Sequence, residues 1–187
     1  MQALKEAREK PGEKVLLFQD ETSFYRQPSQ GWLWSWMGRI QPRMQYSHCS
    51  NTRMRVVGFM EAISGRVLSW DMSRVSVKNL ANCIRQITAA FPEVECIYLV
   101  WDNWLVHEHP VVQAALAKDP RIKVLPLPTY APWLNAIEKF WRLVRQETVH
   151  AHPWSNDFLV FRHAIREKLS EFAFGSERLV RYCGLSP

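Results

Sequence analysis

Cys96-Ile97-Tyr98-Leu99-Val100-Trp101 is an unbroken apolar run, and Asp102 follows it at once. Val15-Leu16-Leu17-Phe18 repeats the arrangement, running into Gln19-Asp20-Glu21. A strand without a polar face is covered on both sides, so each segment reads as a central strand of a sheet flanked by helices. Two such strands, each delivering a carboxylate at its C-terminal end, indicate an open α/β sheet. In that architecture sites form at this edge of the sheet.

The rest of the chain fits around these strands. Residues 1–14 read as a charged helical lead-in, closed by Pro11-Gly12. Gly31-Trp32-Leu33-Trp34-Ser35-Trp36 alternates large rings with other residues, the period-2 signal of a strand. Arg55 to Ile63 and Arg66 to Met72 form two more strands around the turn Ser64-Gly65. Val77 to Ala90 has helical periodicity, with Ser76 as its cap and Pro92 as its stop. Val111 to Ala117 is a short helix and Ile122 to Leu125 a short strand. Pro126, Pro128 and Pro132 stiffen the following loop. Leu134 to Val149 reads as one helix with Asn135 near its cap and an apolar face of Ile137, Phe140, Trp141 and Val144. Ser155 or Asn156 caps a last helix, residues 155–174, stopped by Gly175. No repeat, low-complexity tract or linker interrupts the 187 residues. One α/β domain over 1–187, a mixed central sheet with helices on both faces, is the economical reading.

Composition narrows the function. With 47% hydrophobic residues, 22% charged residues and only seven glycines, the chain is neither a disordered tail nor collagen-like. No apolar run approaches the roughly 20 residues of a membrane span, and the first ten residues lack the apolar core of a secretory signal. These features indicate a cytoplasmic protein without a membrane partner. Cys49, Cys83, Cys96 and Cys183 form no Cys-x-x-Cys pair and read as reduced, mostly buried thiols. Lys and Arg number 24 against 18 Asp and Glu, a net charge of +6. The distribution says more than the total. From Thr22 to Met60 there is no acid, yet Arg26, Arg39, Arg43, Arg53 and Arg55 fall there among Phe24, Tyr25, Trp32, Trp34, Trp36, Tyr46 and Phe59. Arginines interleaved with rings suit a surface that tracks phosphates and stacks on bases. They suit equally a hairpin whose rings are core and whose arginines are solvated.

A third carboxylate, Glu138, falls in the first turn of the helix after the proline loop. At 100° per residue, Arg142 and Arg145 lie within about 40° of it, and the apolar face is roughly 110° away, so Glu138 borders the core. Carboxylates from two strand ends and a helix can converge on hard divalent cations. Two such ions about 3.5–4 Å apart can activate a water and stabilise a departing oxygen in phosphodiester chemistry. The plainer alternatives are that Asp20 caps a turn, Asp102 caps a helix and Glu138 pairs with Arg142. Glu21 should point away from Asp20 if the strand continues, which makes it a supporting acid rather than a ligand. His107-Glu108-His109 and His150-Ala151-His152 have the spacing of a zinc pair. Neither lies in a strand or has a Cys partner, so His109, His150 and His152 read as surface or phosphate-proximal, and His107 belongs to the motif that begins at Asp102. Trp101, Trp104, Trp133 and Trp141 flank the acids, either as core or as rigid walls.

Asp102-Asn103-Trp-Leu-Val-His107 and Leu127-Pro-Thr-Tyr130-Ala-Pro132-Trp-Leu134-Asn135-Ala-Ile137-Glu138-Lys-Phe-Trp141 closely resemble the motifs of the DDE transposases of the mariner-like superfamily, above all its bacterial insertion-sequence branch. Gln19-Asp20-Glu21-Thr22 matches the first acid, and 35 residues separate Asp102 from Glu138, close to the spacing of that group. The likeness spans about residues 14 to 150. It departs from the motif at Ala131, where relatives have Ser, and at Ala136, where they have Pro.

The resemblance implies a ribonuclease H-like fold and a catalytic, metal-binding triad of Asp20, Asp102 and Glu138 holding two Mg²⁺ or Mn²⁺ ions. It implies hydrolytic cleavage of double-stranded DNA at transposon ends, then attack of the freed 3′-hydroxyl on a target with a TA dinucleotide. Asn103, His107 and Asn135 match the motif and are expected, with Glu21, to support the triad or position DNA. Arg142 and Arg145 join the five arginines of the Thr22–Met60 stretch as expected DNA contacts. Pairing two DNA ends implies a homodimer. Full-length relatives carry helix-turn-helix modules before the catalytic domain. About fourteen residues precede the first strand here, so such a module is expected to be absent from this chain. The alternatives are an inactive DNA-binding or assembly module that keeps the fold, and a nuclease or resolvase built on it.

Overall fold

The structure is a computed structural model that describes residues 2–30, 34–41, 43–129 and 131–186. Its elements are α1 (Gln2–Glu9), β1 (Lys14–Tyr25), β2 (Arg53–Glu61), β3 (Val67–Met72), α2 (Val77–Ala90), β4 (Cys96–Trp101), α3 (Pro110–Leu116), β5 (Ile122–Pro126), α4 (Ile137–Val144), α5 (Phe158–Ser170) and α6 (Glu177–Cys183). The strands form one mixed sheet in the order β3-β2-β1-β4-β5. β1, β2 and β3 pair antiparallel, whereas β1, β4 and β5 pair parallel.

The sheet is covered on both faces, as its two apolar strands require. Leu16, Phe18 and Phe24 of β1 pack with Phe140, Trp141, Phe161 and Leu179 of α4, α5 and α6. Val15 and Leu17 pack on the other side with Leu80, Ile84 and Val112 of α2 and α3. Strand alternation thereby sends Asp20 to the α4 side and Glu21 to the opposite one.

β1 is longer than its apolar run. Parallel pairing with β4 ends at Phe18↔Val100, but the antiparallel ladder with β2 carries β1 on to Tyr25↔Arg53. Asp20 therefore lies inside a strand, and Asp102 lies just past the end of β4. Two residues beyond a shared pair, the two acids stand level at the same edge of the sheet.

Local signals explain the element ends. α2 matches its expected bounds, and Ser76 Oγ accepts from Asn79 N at 3.3 Å. Beyond α2, Arg121 donates to the carbonyls of Phe91, Pro92 and Val94 at 2.8, 3.0 and 2.9 Å and pairs with Asp119. One guanidinium thus closes orphaned carbonyls between α2 and β4.

Several expectations need correction. In the segment expected as a ring-rich strand, Gly31, Trp32 and Leu33 lie outside the described residues, and Trp34 to Trp36 is irregular. Among the described residues Trp34 to Trp36 pairs with no strand, and Trp34, Trp36, Met37 and Ile40 stand in solvent rather than in a core. The helix expected over 134–149 is three pieces: a 3-10 turn at Pro132–Leu134, α4, and a π-turn at Arg145–Val149. Asn135 does not cap it, because its amide is bound to β1. The cap of α5 is Asp157 rather than Ser155 or Asn156: Asp157 Oδ1 accepts from Leu159 N and Val160 N at 3.0 and 3.1 Å. That helix ends at Ser170, and α6 follows unanticipated, a seven-residue helix between the cap Ser176 and Gly184, whose φ is 71°. Among the described residues no helix is long and apolar enough to cross a membrane.

Candidate active site

Asp20, Asp102 and Glu138 line a single cleft of about 320 Å³ at the sheet edge where β4 ends. Asn103, Trp104, Pro128, Thr129 and Asn135 complete its walls. Three elements brought these acids together: mid-β1, the end of β4 and the first turn of α4.

Each acid is held by identifiable neighbours. Asp20 Oδ2 accepts from Trp141 Nε1 at 3.0 Å. Asn135 Nδ2 donates to the carbonyl of Gln19 at 2.9 Å and so ties the start of α4, with Glu138, to β1 beside Asp20. His107 Nδ1 donates to the carbonyl of Asp102 at 2.9 Å and lies 3.4 Å from its Oδ1, while Trp104 N donates to Oδ1 at 3.2 Å. The imidazole is itself stacked on Trp101, with centroids 4.1 Å apart and planes 2° from parallel. Asn103 Nδ2 donates to Thr129 Oγ1 at 3.2 Å, joining the loops that follow β4 and β5.

Burial and crowding of like charge shape the electrostatics. Burial first, and then the charges of Glu138, Glu21 and Asp102, together push Asp20 up to about 8. Glu21 is likewise pushed up to about 7, chiefly by burial, against a hydrogen bond from Gln19 Nε2 at 3.2 Å and with the charges of Asp102 and Glu138 contributing. Glu21 thus feels the same negative field although it leaves β1 on the opposite face. Arg145 lies near Glu138 and Asp20, and its guanidinium is bonded to Thr22 Oγ1 and stacked over Phe24 at 5.5 Å.

This donor set fits hard divalent cations. Carboxylate oxygens and an amide oxygen share the cleft, and the negative charge there has no full counter-charge. Among the described residues no three His, Cys, Asp or Glu side chains close on one common point. Mg²⁺-type ions do not require that. They keep several waters and take one or two protein carboxylates each, the rest of the shell coming from substrate phosphate.

The remaining expected site residues divide sharply. Arg142 is exposed and lines a second, polar hollow of about 290 Å³ with Ser29, Arg145, Gln146 and His150, directly beside Glu138. Arg39 and Arg43 are exposed on the excursion between β1 and β2. Arg53 donates to Tyr25 Oη at 2.5 Å and stacks over its ring, and Arg55 donates to the carbonyl of Ser73 at 2.7 Å. Arg26 is a correction: it is 7% exposed, donates to the carbonyl of Ser155 at 2.6 Å and lies over the ring of Phe158. It is a strut of the fold, because a guanidinium spent on a buried carbonyl is not offered to phosphate. Of the two His pairs, His107 is buried against Trp101, and His109 Nδ1 accepts from Val111 N at 3.2 Å as the cap of α3. His150 Nδ1 lies 3.4 Å from Ser29 Oγ, and His152 Nδ1 accepts from Trp154 N at 3.1 Å. Trp101 and Trp141 are core, Trp104 walls the cleft, and Trp133 is exposed. Tyr130 of the quoted motif lies outside the described residues.

Sequence reasoning missed three contributors: Trp141 as a donor to Asp20, Thr129 as the acceptor for Asn103, and Gly58. The signal for Gly58 was present, since a glycine inside a strand marks close approach of another group. It pairs with Asp20 across β1 and β2.

Comparison with known proteins agrees with this geometry. Residues 15–157 match the family model described as DDE superfamily endonuclease. Over 171 residues the chain is 22% identical to the insertion element IS630 uncharacterized 39 kDa protein of Shigella sonnei, covering 90% of this chain and 49% of that protein. The Mos1 transposase paired-end complex with left transposon end aligns over 97% of this chain and 55% of that one, with a TM-score of 0.67 and 14% identity. The catalytic domain of Mos1 mariner transposase aligns over 97% of this chain and 81% of that one, with a TM-score of 0.59 and 13% identity. The chain thus spans about half the length of the IS630 relative, and its fold is the ribonuclease H-like fold of these structures. By the match across residues 15–157, the chain belongs to the DDE superfamily of endonucleases.

Proposed function

We propose that the chain is a single transposase catalytic domain that cleaves DNA at transposon ends and joins the freed 3′-hydroxyl to a target. The observation that carries this is the convergence of Asp20, Asp102 and Glu138, from three separate elements, on one cleft. Family membership and the structural likeness support it, as do Mos1 complexes described with Mn and with Mg.

Asp20, Asp102 and Glu138 would hold two divalent ions, Mg²⁺ or Mn²⁺. Such ions supply activation of the attacking oxygen and stabilisation of the departing one. The chain's own groups do the placing. His107 fixes the backbone and carboxylate of Asp102, Asn135 sets α4 against β1, and Trp104 walls the cleft. Glu21 and Asn103 complete the surrounding polar shell.

Arg142 and Arg145, one helical turn and two turns beyond Glu138, would meet the phosphates of double-stranded DNA. Arg39, Arg43, Arg53 and Arg55 would extend that track. A second copy of the chain is supported by the exposed Trp34, Trp36, Met37 and Ile40, since grouped apolar side chains in solvent mark interaction surfaces. The TA target and action on DNA in the bacterial cytoplasm follow from the insertion-element resemblance.

Mn²⁺ titration by calorimetry, beside Asp102→Asn, tests the site. Saturable binding that the variant loses, together with Mn²⁺-dependent nicking of supercoiled DNA lost in the same variant, is the expected result. DNA binding with neither metal uptake nor nicking would make the chain a binding module instead.

A further inference from the structure

We propose that Trp141 is a positioning residue for the metal site: its indole N–H orients the carboxylate of Asp20 for divalent-cation binding. The inference rests on the metal reading above and deepens it.

The geometry is specific. Trp141 is fully buried, yet its Nε1 donates not to a backbone carbonyl but to Oδ2 of Asp20, at 3.0 Å. An indole offers one donor and no acceptor, so this bond uses its whole polar capacity. Trp141 lies three residues after Glu138 on α4. The helix that contributes the third acid therefore also holds the first.

The ring has little freedom to turn. One edge lies against the backbone of β2 at Gly58, where a Cβ would stand 2.5 Å from Cη2 and 2.6 Å from Cζ2. Phe24 packs on it edge-on at 6.1 Å, and Phe140 tilts against it at 4.9 Å. Gly58 is the residue that pairs with Asp20. The missing side chain, the indole and the acid thus form one stacked unit across β2, β1 and α4.

The donor's neutrality matters. Asp20 sits among three other carboxylates, and a neutral donor fixes the direction of its Oδ2 without adding charge. A Lys or Arg at this place would bring a positive charge that competes with the incoming cation. The indole orients the carboxylate and leaves the net charge of the site unchanged. Outer partners of metal-ligating carboxylates are worth about 10–100-fold in metal affinity when removed.

The test replaces Trp141 in the full chain by 3-benzothienylalanine, which keeps the ring's shape and has sulfur in place of the N–H. Mn²⁺ affinity is read by calorimetry and folding by circular dichroism. The expected result is a folded chain whose Mn²⁺ affinity drops by at least about 10-fold. Trp141→Phe should drop it similarly. Gly58→Ala gives an independent route, because it keeps the N–H but displaces the ring, and it should also weaken Mn²⁺ binding. If the wild type binds Mn²⁺ and either the folded analogue or Gly58→Ala binds it equally well, this inference is overturned and the metal reading stands. A folded wild type that takes up no Mn²⁺ overturns both.

Discussion

The indole of Trp141 occupies the space that a side chain at residue 58 would fill: a Cβ on Gly58 would come 2.5 Å from Cη2. Overpacking of this kind forces a rigid ring to move and costs about 1–3 kcal/mol. Gly58→Ala should therefore lower stability by that amount in urea unfolding, without a change in m-value. Adding Trp141→Phe should make the alanine cheaper, because the smaller ring leaves room for it. A double-mutant cycle with no coupling would show that the two residues do not share this space.

Two opposed pH contributions, from different residues, should act on stability. Burial lowers the pKa of His107 and of His152, so both are neutral when folded. Below the ordinary histidine pKa of about 6.5 the unfolded chain gains protons that the native one does not, and stability falls as pH drops. Carboxylates with lowered pKa, such as Glu6, act only at lower pH. In the opposite direction, Asp20 and Glu21 are raised to about 8 and about 7. Between about pH 4 and 8 the native state holds more protons than the unfolded one, so the metal-free chain loses stability as pH rises, by several kcal/mol in all. Below about pH 6 the two contributions oppose each other, so urea unfolding from pH 5 to 9 should show a nearly level stability there and a fall above it. Asp20→Asn should flatten the fall above pH 6 and, with that opposing contribution gone, let the histidine loss show below it.

His107 should be a neutral imidazole with the proton on Nδ1. Its Nδ1 faces two acceptors, the carbonyl and carboxylate of Asp102, while Nε2 is buried without a partner. A second proton at Nε2 would be a buried, unbonded charge. Nitrogen chemical shifts should show the Nδ1–H tautomer at pH 7 and its persistence below pH 6.5. An Nε2–H tautomer would mean that the ring does not hold Asp102 as described. His107→Ala should leave a cavity beside Trp101 and cost about 2–3 kcal/mol.

The sheet was legible because its centre is chemically extreme: Cys96–Trp101 and Val15–Phe18 carry no polar face, and Asp102 and Asp20 mark their ends. α2 was legible to the residue because Ser76 and Pro92 bracket one uninterrupted apolar stripe. The segment 134–149 was not: at its start Asn135 bonds Gln19, a residue more than a hundred positions away, and its last turn widens into a π-turn. Periodicity is blind to such a bond. The same limit applies to the arginines. Arg26 and Arg39 look alike in a basic, acid-free stretch, and only tertiary contacts separate the buried strut from the exposed cation. For the site, the acids were readable from strand ends and motif wording. Trp141 was readable only as core, because nothing local shows where a buried N–H points.

That division among the arginines makes a direct prediction for DNA binding. Arg142 is exposed and lines a polar hollow beside Glu138, so it is free to neutralise a phosphate. Each neutralised phosphate contributes about 0.9 to the slope of log affinity against log salt. Arg142→Ala should weaken binding to double-stranded DNA uniformly across sequences and reduce that slope by about 1, as read by fluorescence anisotropy over a salt series. Arg26→Ala should do the reverse. It removes a hydrogen bond to Ser155 and the packing on Phe158, so it should lower the unfolding midpoint while a chain that remains folded keeps the wild-type slope. An unchanged slope for Arg142→Ala would remove this helix face from the DNA path. A reduced slope for Arg26→Ala would mean that its guanidinium leaves Ser155 when DNA binds.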